Sequence, residues 1–206
     1  MITGDFSFID ADLSVVSASI INLMKQKRPV KQWTAPLYID LKYDCNHARI
    51  AKMVLWSPSS GKTAISGNAS DGFSVLFSTL NIRYGYNITQ ISLTLDLDNK
   101  INDSDIYLFR LFDFLGSNGT ERMVRVMQDP RWDFYEIGEP FPFEQTEKYK
   151  ERIKKKRLTN DMILDYAEAM GYDVRNPEFW KSDNATYLEW SWIPVIKQKY
   201  HKIVRK

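Results

Sequence analysis

Segments with strand character follow one another through the middle of the chain. "ISLTLDL" (91–97) alternates apolar and polar residues, whereas "DIYLFRLFDFLG" (105–116) is almost wholly apolar, as in a central strand covered on both faces. After a turn signal at 117–119, "TERMVRVMQD" and "RWDFYEIG" continue the strands on either side of Asp129-Pro130. Strands that follow strands favour an antiparallel or mixed sheet, and this order is the strongest constraint on the fold.

Four segments have helical character. Apolar residues at helical spacing predict one helix over residues 12–27 and another that begins near residue 73. A pair of helices then covers roughly 145–156 and 160–170. In the second of this pair, Thr159 is the expected N-cap and Gly171 the expected stop.

The whole pattern predicts the α+β class. Additional strands fit "APLYIDLKY" (35–43), "AKMVLWS" and "TYLEWSWI", and the regular βαβ alternation of a doubly wound fold is missing. We therefore expect one globular domain over residues 1–206, with a mainly antiparallel or mixed sheet and about four helices packed on it. A short basic tail follows at 197–206.

Charge and cysteine content narrow the classes of partner and cofactor. The net charge is +2, without the strong positive excess of most nucleic-acid-binding proteins, which disfavours a nucleic-acid partner. The single cysteine excludes an internal disulfide and any zinc site built from several cysteines, and we expect no metal and no cofactor. The chain shows neither a secretory signal pattern nor a membrane-length apolar stretch, so we expect a cytoplasmic protein with no membrane partner.

The stretch "WSPSSGKTAISG" ends a strand with the last letters of a phosphate-binding loop, Gly61-Lys62-Thr63. The full motif needs a glycine five positions before Gly61, where this chain has Trp56, and Pro58 removes a backbone N–H that should donate to phosphate. The segment after Thr63 is loop-like and does not read as a helix. A turn after a strand, with Lys62 in solvent, is the simpler interpretation.

Two other motifs resemble sites but lack essential parts. In "DLDNKINDSD", Asp96 and Asp98 match calcium ligands, but Lys100 and Ile101 occupy positions that need an oxygen ligand and a glycine, so we expect a hairpin loop. A thiol–imidazole pair within "DCNH", Cys45 with His47, also needs an orienting group and an oxyanion hole. The simpler expectation there is a partly buried free thiol near a surface histidine.

Acidic and basic residues cluster around the last two central strands. The acids are Asp133, Glu136, Glu139 and Glu144, and the nearby bases are Arg122, Arg125 and Arg131. Paired carboxylates are able to do acid–base chemistry, which leaves a small hydrolase-like enzyme as one alternative. Cross-strand ion pairs are the structural alternative. The basic run "KYKERIKKKR" (148–157) leaves a nucleic-acid-binding adaptor as a third hypothesis, although such runs usually form a solvated helix face.

The stretch from Thr120 to Tyr172 carries a family resemblance. It contains an Arg-rich strand, then "RWDFYEIGEPFPFE", a tyrosine-bearing helix and "RLTNDMILDYAEAMGY". This order is similar to a segment of immunity proteins from bacterial polymorphic toxin systems, which are antidotes to toxins delivered by type VI secretion or contact-dependent inhibition. The "WSPSSG" piece fits the same layout.

The resemblance implies a small cytoplasmic protein that is not an enzyme and has no catalytic residues. Such a protein neutralises a cognate protein toxin by covering the toxin's active site. Inhibitory complexes of this kind use buried aromatic anchors with complementary charge at the rim. The expected partner-binding residues are Trp132, Asp133, Tyr135, Glu136 and Glu139. If the toxin is a nuclease, these carboxylates would mimic nucleic acid. The oligomeric state does not follow from the sequence.

Overall fold

The computed structural model describes residues 4–25, 29–39, 50–69, 73–94, 109–128 and 130–191. Within them the chain forms nine strands and three α-helices, together with three short 3₁₀ helices. In chain order the strands and α-helices are β1 (Gly4–Ile9), α1 (Leu13–Lys25), β2 (Val30–Ala35), β3 (Ile50–Ser59), β4 (Lys62–Gly67), α2 (Ser74–Tyr84), β5 (Ile88–Leu93), β6 (Phe109–Leu115), β7 (Glu121–Gln128), β8 (Trp132–Ile137), α3 (Asn160–Ala169) and β9 (Ala185–Ser191). The 3₁₀ helices are Lys148–Lys150, Lys154–Lys156 and Pro177–Trp180.

All nine strands belong to one sheet, in the order β2-β9-β3-β4-β1-β5-β6-β7-β8. Each described pairing is antiparallel. Strand β1 lies in the middle, with Phe6 opposite Ser66 of β4 and Ile91 of β5. The α+β class is therefore confirmed, and the sheet is antiparallel and not mixed within the described residues.

Successive side chains of each strand point to opposite faces of the sheet and so form two hydrophobic cores, one on each face. On the first face, Phe112 packs beneath α3 against Tyr166, and Phe8 stacks on Tyr172 in the same core. We call this the α3 face. On the second, Met53 packs with Ile20 of α1 and with α2, and we call it the α1 face.

Sequence signals place all three described α-helices correctly, and α2 forms where a helix was expected to begin near residue 73. Helix α1 covers most of the predicted 12–27. Helix α3 begins after Thr159, whose hydroxyl accepts a hydrogen bond from the Met162 backbone N–H at 3.2 Å. The chain leaves α3 through Gly171, which has a φ of 85° and so adopts a left-handed conformation that glycine tolerates.

The predicted helix over 145–156 is wrong. Only two short 3₁₀ helices form there, and Ile153 between them is extended (φ −88°, ψ 104°). Like charges four residues apart in this basic run disfavour an α-helix. In addition, buried Arg110 donates hydrogen bonds to the backbone carbonyls of Lys155 and Leu158, at 3.0 and 3.2 Å. These bonds hold the segment in a non-helical path, and the described α-helices number three, where about four were expected.

The first half of the sheet departs further from the prediction. Within the described part of the strand expected over 35–43, only Ala35 belongs to a strand, β2, which ends before Pro36, a residue without a backbone N–H for the ladder. Strand β4 forms in a segment that was expected to be a loop, and the sequence pattern did not identify β1. Part of the expected strand and the whole basic tail at 197–206 lie outside the described residues. No described helix has both the length and the apolar character needed to cross a membrane.

Candidate binding face on the sheet

The α1 face of the sheet is only partly covered by the described helices. The core beneath α1 and α2 draws its strand residues mainly from β9, β3 and β4, and from the ends of β1 and β5. Beyond it, strands β6 to β8 present a surface that belongs to neither core. We call this surface the open face. Its residues are Leu111, Asp113, Met123, Arg125, Met127, Asp133, Tyr135 and Ile137.

The open face combines apolar and charged side chains. Tyr135 and Ile137 are 43% and 40% exposed, which is high for large apolar residues, and Met123 and Met127 are half-buried. The guanidinium of Arg125 lies 5.1 Å from the centre of the Tyr135 ring, in a cation–π contact. Aromatic residues, methionine and arginine are the residue types enriched in protein interfaces.

The five expected partner-binding residues do not form one surface. Because side chains alternate along β8, Asp133 and Tyr135 lie on the open face, whereas Trp132 and Glu136 point to the α3 face. Trp132 packs against the core of that face. Glu139 is exposed in the loop that follows β8.

Asp133 forms an ion pair at the edge of the sheet. Its carboxylate accepts a hydrogen bond from the Lys154 ammonium at 2.9 Å, with both side chains about half exposed. That hydrogen bond is the main reason why the pKa of Asp133 lies below its usual value. Asp133 is therefore an ionised, accessible group beside Tyr135, as a charged interface rim requires.

Glu136 and Glu144 take part in a buried network centred on Arg122. The Arg122 side chain is 1% exposed, and its Nη2 lies 2.8 Å from Glu136 Oε2 and 2.6 Å from Glu144 Oε2. Its Nη1 donates to the carbonyls of Ile137 and Gly138, so all of its nitrogens have partners. The expected cross-strand ion pairing is thus confirmed for Arg122 and Glu136.

The second carboxylate of the network, Glu144, has no oxygen left for a substrate. Its Oε1 accepts from Arg122 Nε and from the Phe141 backbone N–H, both at 2.9 Å. Its Oε2 accepts from Arg122 and from the Tyr149 hydroxyl at 2.7 Å. The Tyr149 hydroxyl also contacts that of Tyr166 at 2.9 Å, and burial together with these bonds raises its pKa. This arrangement ties the loop after β8 to α3.

A glycine sits beside this network. Gly138 has a φ of 79°, and a Cβ atom there would lie 1.9 Å from the Glu121 carbonyl oxygen. The backbone of the "GEP" turn therefore runs directly against β7, and this contact brings the Gly138 carbonyl to Arg122.

The incomplete phosphate-loop motif is a hairpin. Gly61, with a φ of 71°, lies in the turn that joins β3 to β4. Lys62 is not in solvent, contrary to expectation. Its ammonium lies 4.0 Å from the centre of the Tyr172 ring, 3.3 Å from the Met170 carbonyl oxygen and 3.5 Å from Asp10. Lys62 thus connects the hairpin to the end of α3 and has a structural role.

The remaining motif candidates lie outside the described residues. These are the pair Cys45 with His47, and the calcium-like stretch from Asp96 to Ile101. Among the residues that the structure does describe, no group of three or more metal-binding side chains comes together.

A cavity of about 280 Å³ adjoins the open face, where β1, β5, β6 and β7 meet the start of α2. Asp113 and Arg125 both line it. Burial raises the pKa of Asp113 to about 6, with a smaller contribution from the charge of Glu121. Sequence analysis missed this site because it took the apolar stretch around β6 as a uniformly buried strand. A single carboxylate within that run was the available signal.

Comparison with known proteins adds no relationship: no family model, no curated protein and no solved structure matches this chain.

Proposed function

We propose that this chain is an immunity protein that neutralises a cognate bacterial toxin by covering the toxin's active site, without catalysis of its own. The single observation that carries the proposal is the open face, an accessible surface of Tyr135, Ile137 and two methionines beside the charged groups Arg125 and Asp133. Such a mixture of apolar anchors and charge suits a protein partner. The resemblance of residues 120–172 to immunity proteins supplies the class of partner.

The acidic cluster also favours a binding role over hydrolysis. Two of its four carboxylates, Glu136 and Glu144, are engaged by Arg122, and the Glu144 side chain is completely buried. The interface that we propose keeps Asp133 and Tyr135 from the expected contact set and adds Ile137. Glu139 extends this interface as a rim residue, whereas Trp132 and Glu136 stabilise the fold. We place the protein in the cytoplasm of the producing cell, where a self-directed toxin would act.

The identity of the partner is tested first. The tagged protein is used to capture partners from its source bacterium through a high-salt wash, and each captured protein is expressed alone and together with this chain. We expect one partner to arrest growth alone and to be harmless when co-expressed. The proposal fails if no captured protein is toxic on its own, or if co-expression gives no protection.

The binding surface is tested with arginine substitutions. Tyr135→Arg with Ile137→Arg places two bulky cations on the open face, and we expect it to abolish protection and to weaken toxin binding by about a hundredfold or more. The matched control is Val15→Arg on α1 with Ile82→Arg on α2, two apolar residues that are 49% and 81% exposed and belong neither to the open face nor to the cavity walls. Equal protection by both double variants, each with an unchanged melting temperature, would exclude the open face as the interface.

Rim charge is tested by Asp133→Lys with Glu139→Lys. Glu136 is left unchanged in this variant because its pairing with Arg122 makes it part of the fold. Reversal of exposed rim charges should mainly slow association with a basic toxin and reduce the dependence of the association rate on salt. An association rate that does not change would show that the acidic rim takes no part in binding.

A further inference from the structure

The cavity beside the open face is lined by polar groups of opposite charge. Its walls include Asp5 of β1, Ser92 of β5, Asp113 of β6 and Arg125 of β7. Its volume of about 280 Å³ is close to the lower end of the range of small-molecule pockets, which is roughly 300 to 1,000 Å³. A ligand that fills it is therefore small.

Asp113 supplies a buried acceptor to this cavity. The residue is 7% exposed, and its Oδ1 has no hydrogen-bond partner within the described part of the chain. A buried polar oxygen that accepts no hydrogen bond lowers the stability of the fold, and an ionised oxygen lowers it further. The carboxylate thus favours a ligand that brings an N–H donor or a positive charge.

Arg125 supplies the complementary donor. Its Nε is fully buried and likewise has no acceptor among the described residues. The two residues are diagonal neighbours on adjacent strands, since Asp113 is directly opposite Met123 and Arg125 is two residues further along β7. Their side chains line the same cavity, yet they form no ion pair with each other within 4.0 Å. Two oppositely charged side chains, each with one buried atom that lacks a described hydrogen-bond partner, therefore line one small volume.

The other walls are suited to an amphoteric ligand. The Ser92 hydroxyl donates a hydrogen bond to Asp5, which fixes a second carboxylate at the rim. Leu111 and Met123 supply apolar surface beside the charged pair. A simple anion would meet Asp5 and Asp113, whereas a simple amine would leave the Arg125 donor unsatisfied. A molecule with both an ammonium and a carboxylate satisfies both groups at once.

We propose that this cavity binds a small zwitterion of the α-amino-acid class, with its ammonium on Asp113 and its carboxylate on Arg125. Leu111 and Met123 contact the ligand's side chain and limit its size. This inference goes beyond the toxin proposal, because it assigns a small ligand to the cavity, although Arg125 and Met123 belong both to the cavity wall and to the open face.

Calorimetric titration of the purified full chain with each common amino acid is the direct test. We expect at least one to bind. Its methyl ester, which lacks the carboxylate, and its N-acetyl derivative, which lacks the ammonium, should each bind at least about tenfold more weakly. The proposal is overturned if no amino acid binds, or if either derivative binds as well as the parent compound.

Substitutions then locate the site. Asp113→Asn keeps the shape of the side chain and removes its charge, and Arg125→Gln removes the guanidinium; each should weaken binding by about tenfold or more. The matched control is Asp165→Asn, which removes a carboxylate from α3 that pairs with Arg175 at 2.8 Å, far from the cavity walls. Leu111→Trp should fill the cavity and abolish binding. Unchanged affinity in all three cavity variants would place the bound ligand elsewhere and overturn the assignment.

Discussion

At the scale of single residues, Asp113 is a carboxyl group whose ionisation opposes folding. Its pKa is about 6 in the folded protein, against an ordinary value of 3.8. Between these values the folded state keeps a proton that the unfolded state has lost, so this group's contribution to stability falls as pH rises through that window. The cost at neutral pH is on the order of 3 kcal/mol, from 1.36 kcal/mol for each pKa unit.

We therefore expect Asp113→Asn to raise the free energy of unfolding at neutral pH. The charge of Glu121 adds to the effect of burial and raises the pKa of this carboxyl, and the charged residues Asp5 and Arg125 line the same cavity. Urea unfolding of both proteins from about pH 4 to about pH 7 measures the effect, and the advantage of the variant should grow with pH.

The control for Asp113→Asn is Asp133→Asn, for which we expect a pH dependence of stability with the opposite sign. The hydrogen bond from Lys154 lowers the pKa of Asp133, so its contribution is present at neutral pH and is lost as pH falls. A stability difference between wild type and Asp113→Asn that stays constant over the pH range would contradict the assignment of a raised pKa.

At the scale of elements, the loop between β8 and α3 depends on one carboxylate. Glu144 holds buried Arg122, the Phe141 N–H and the Tyr149 hydroxyl together. Glu144→Gln removes the charge that faces Arg122, and the loss of one partner from a buried ion pair costs about 3 to 5 kcal/mol. We expect a loss of this size in the free energy of unfolding, measured by urea denaturation.

The matched control is Glu168→Gln on α3. Glu168 pairs with Arg175 at 2.6 Å, but both side chains are more than a third exposed, so the loss should stay below about 1 kcal/mol. Similar losses for the two substitutions would show that the Arg122 network contributes no more than a surface ion pair.

Sequence signals predicted those elements whose determinants are local. Helix α3 carries its own cap in Thr159 and its own stop in Gly171, and the hairpin of β6 and β7 follows a clear turn signal. The helix expected over 145–156 failed because its path depends on Arg110, a residue from a distant strand. Strand β1 was missed because its pairing with β4 and β5 provides the stabilisation that six residues lack alone.

At the scale of the whole molecule, the cavity and the open face both depend on the order of the strands in the sheet. A hairpin prediction for β6 and β7 is enough to place Asp113 near Arg125. The opposite walls come from β1 and α2, which are far away in sequence and carry no local signal of that proximity. The open face likewise exists because the core beneath α1 and α2 extends only partway across the nine strands.

Stability should also vary across the sheet, because the strands differ in both pairing and cover. Strand β3 pairs on both edges and buries Trp56 on the α3 face and Met53 on the α1 face. Among the described strands β8 pairs only with β7, and one of its faces is open. Local opening requires least free energy where buried contacts are few. We expect amide hydrogen exchange to be slowest in β3 and much faster in β8, the strand that contributes most to the proposed interface.

The other edge strand, β2, provides the internal control. Its one partner within the described part of the chain is β9, and it is mostly exposed, so its amides should exchange on the fast timescale of β8. Exchange measured at two protein concentrations distinguishes cover within the monomer from cover by a second copy of the chain. If β8 is as slow as β3 at both concentrations while β2 is fast, the open face is covered within the monomer and is not a free surface. If β8 becomes slow only at the higher concentration, a second copy of the chain covers it, and a toxin would have to displace that copy to bind there.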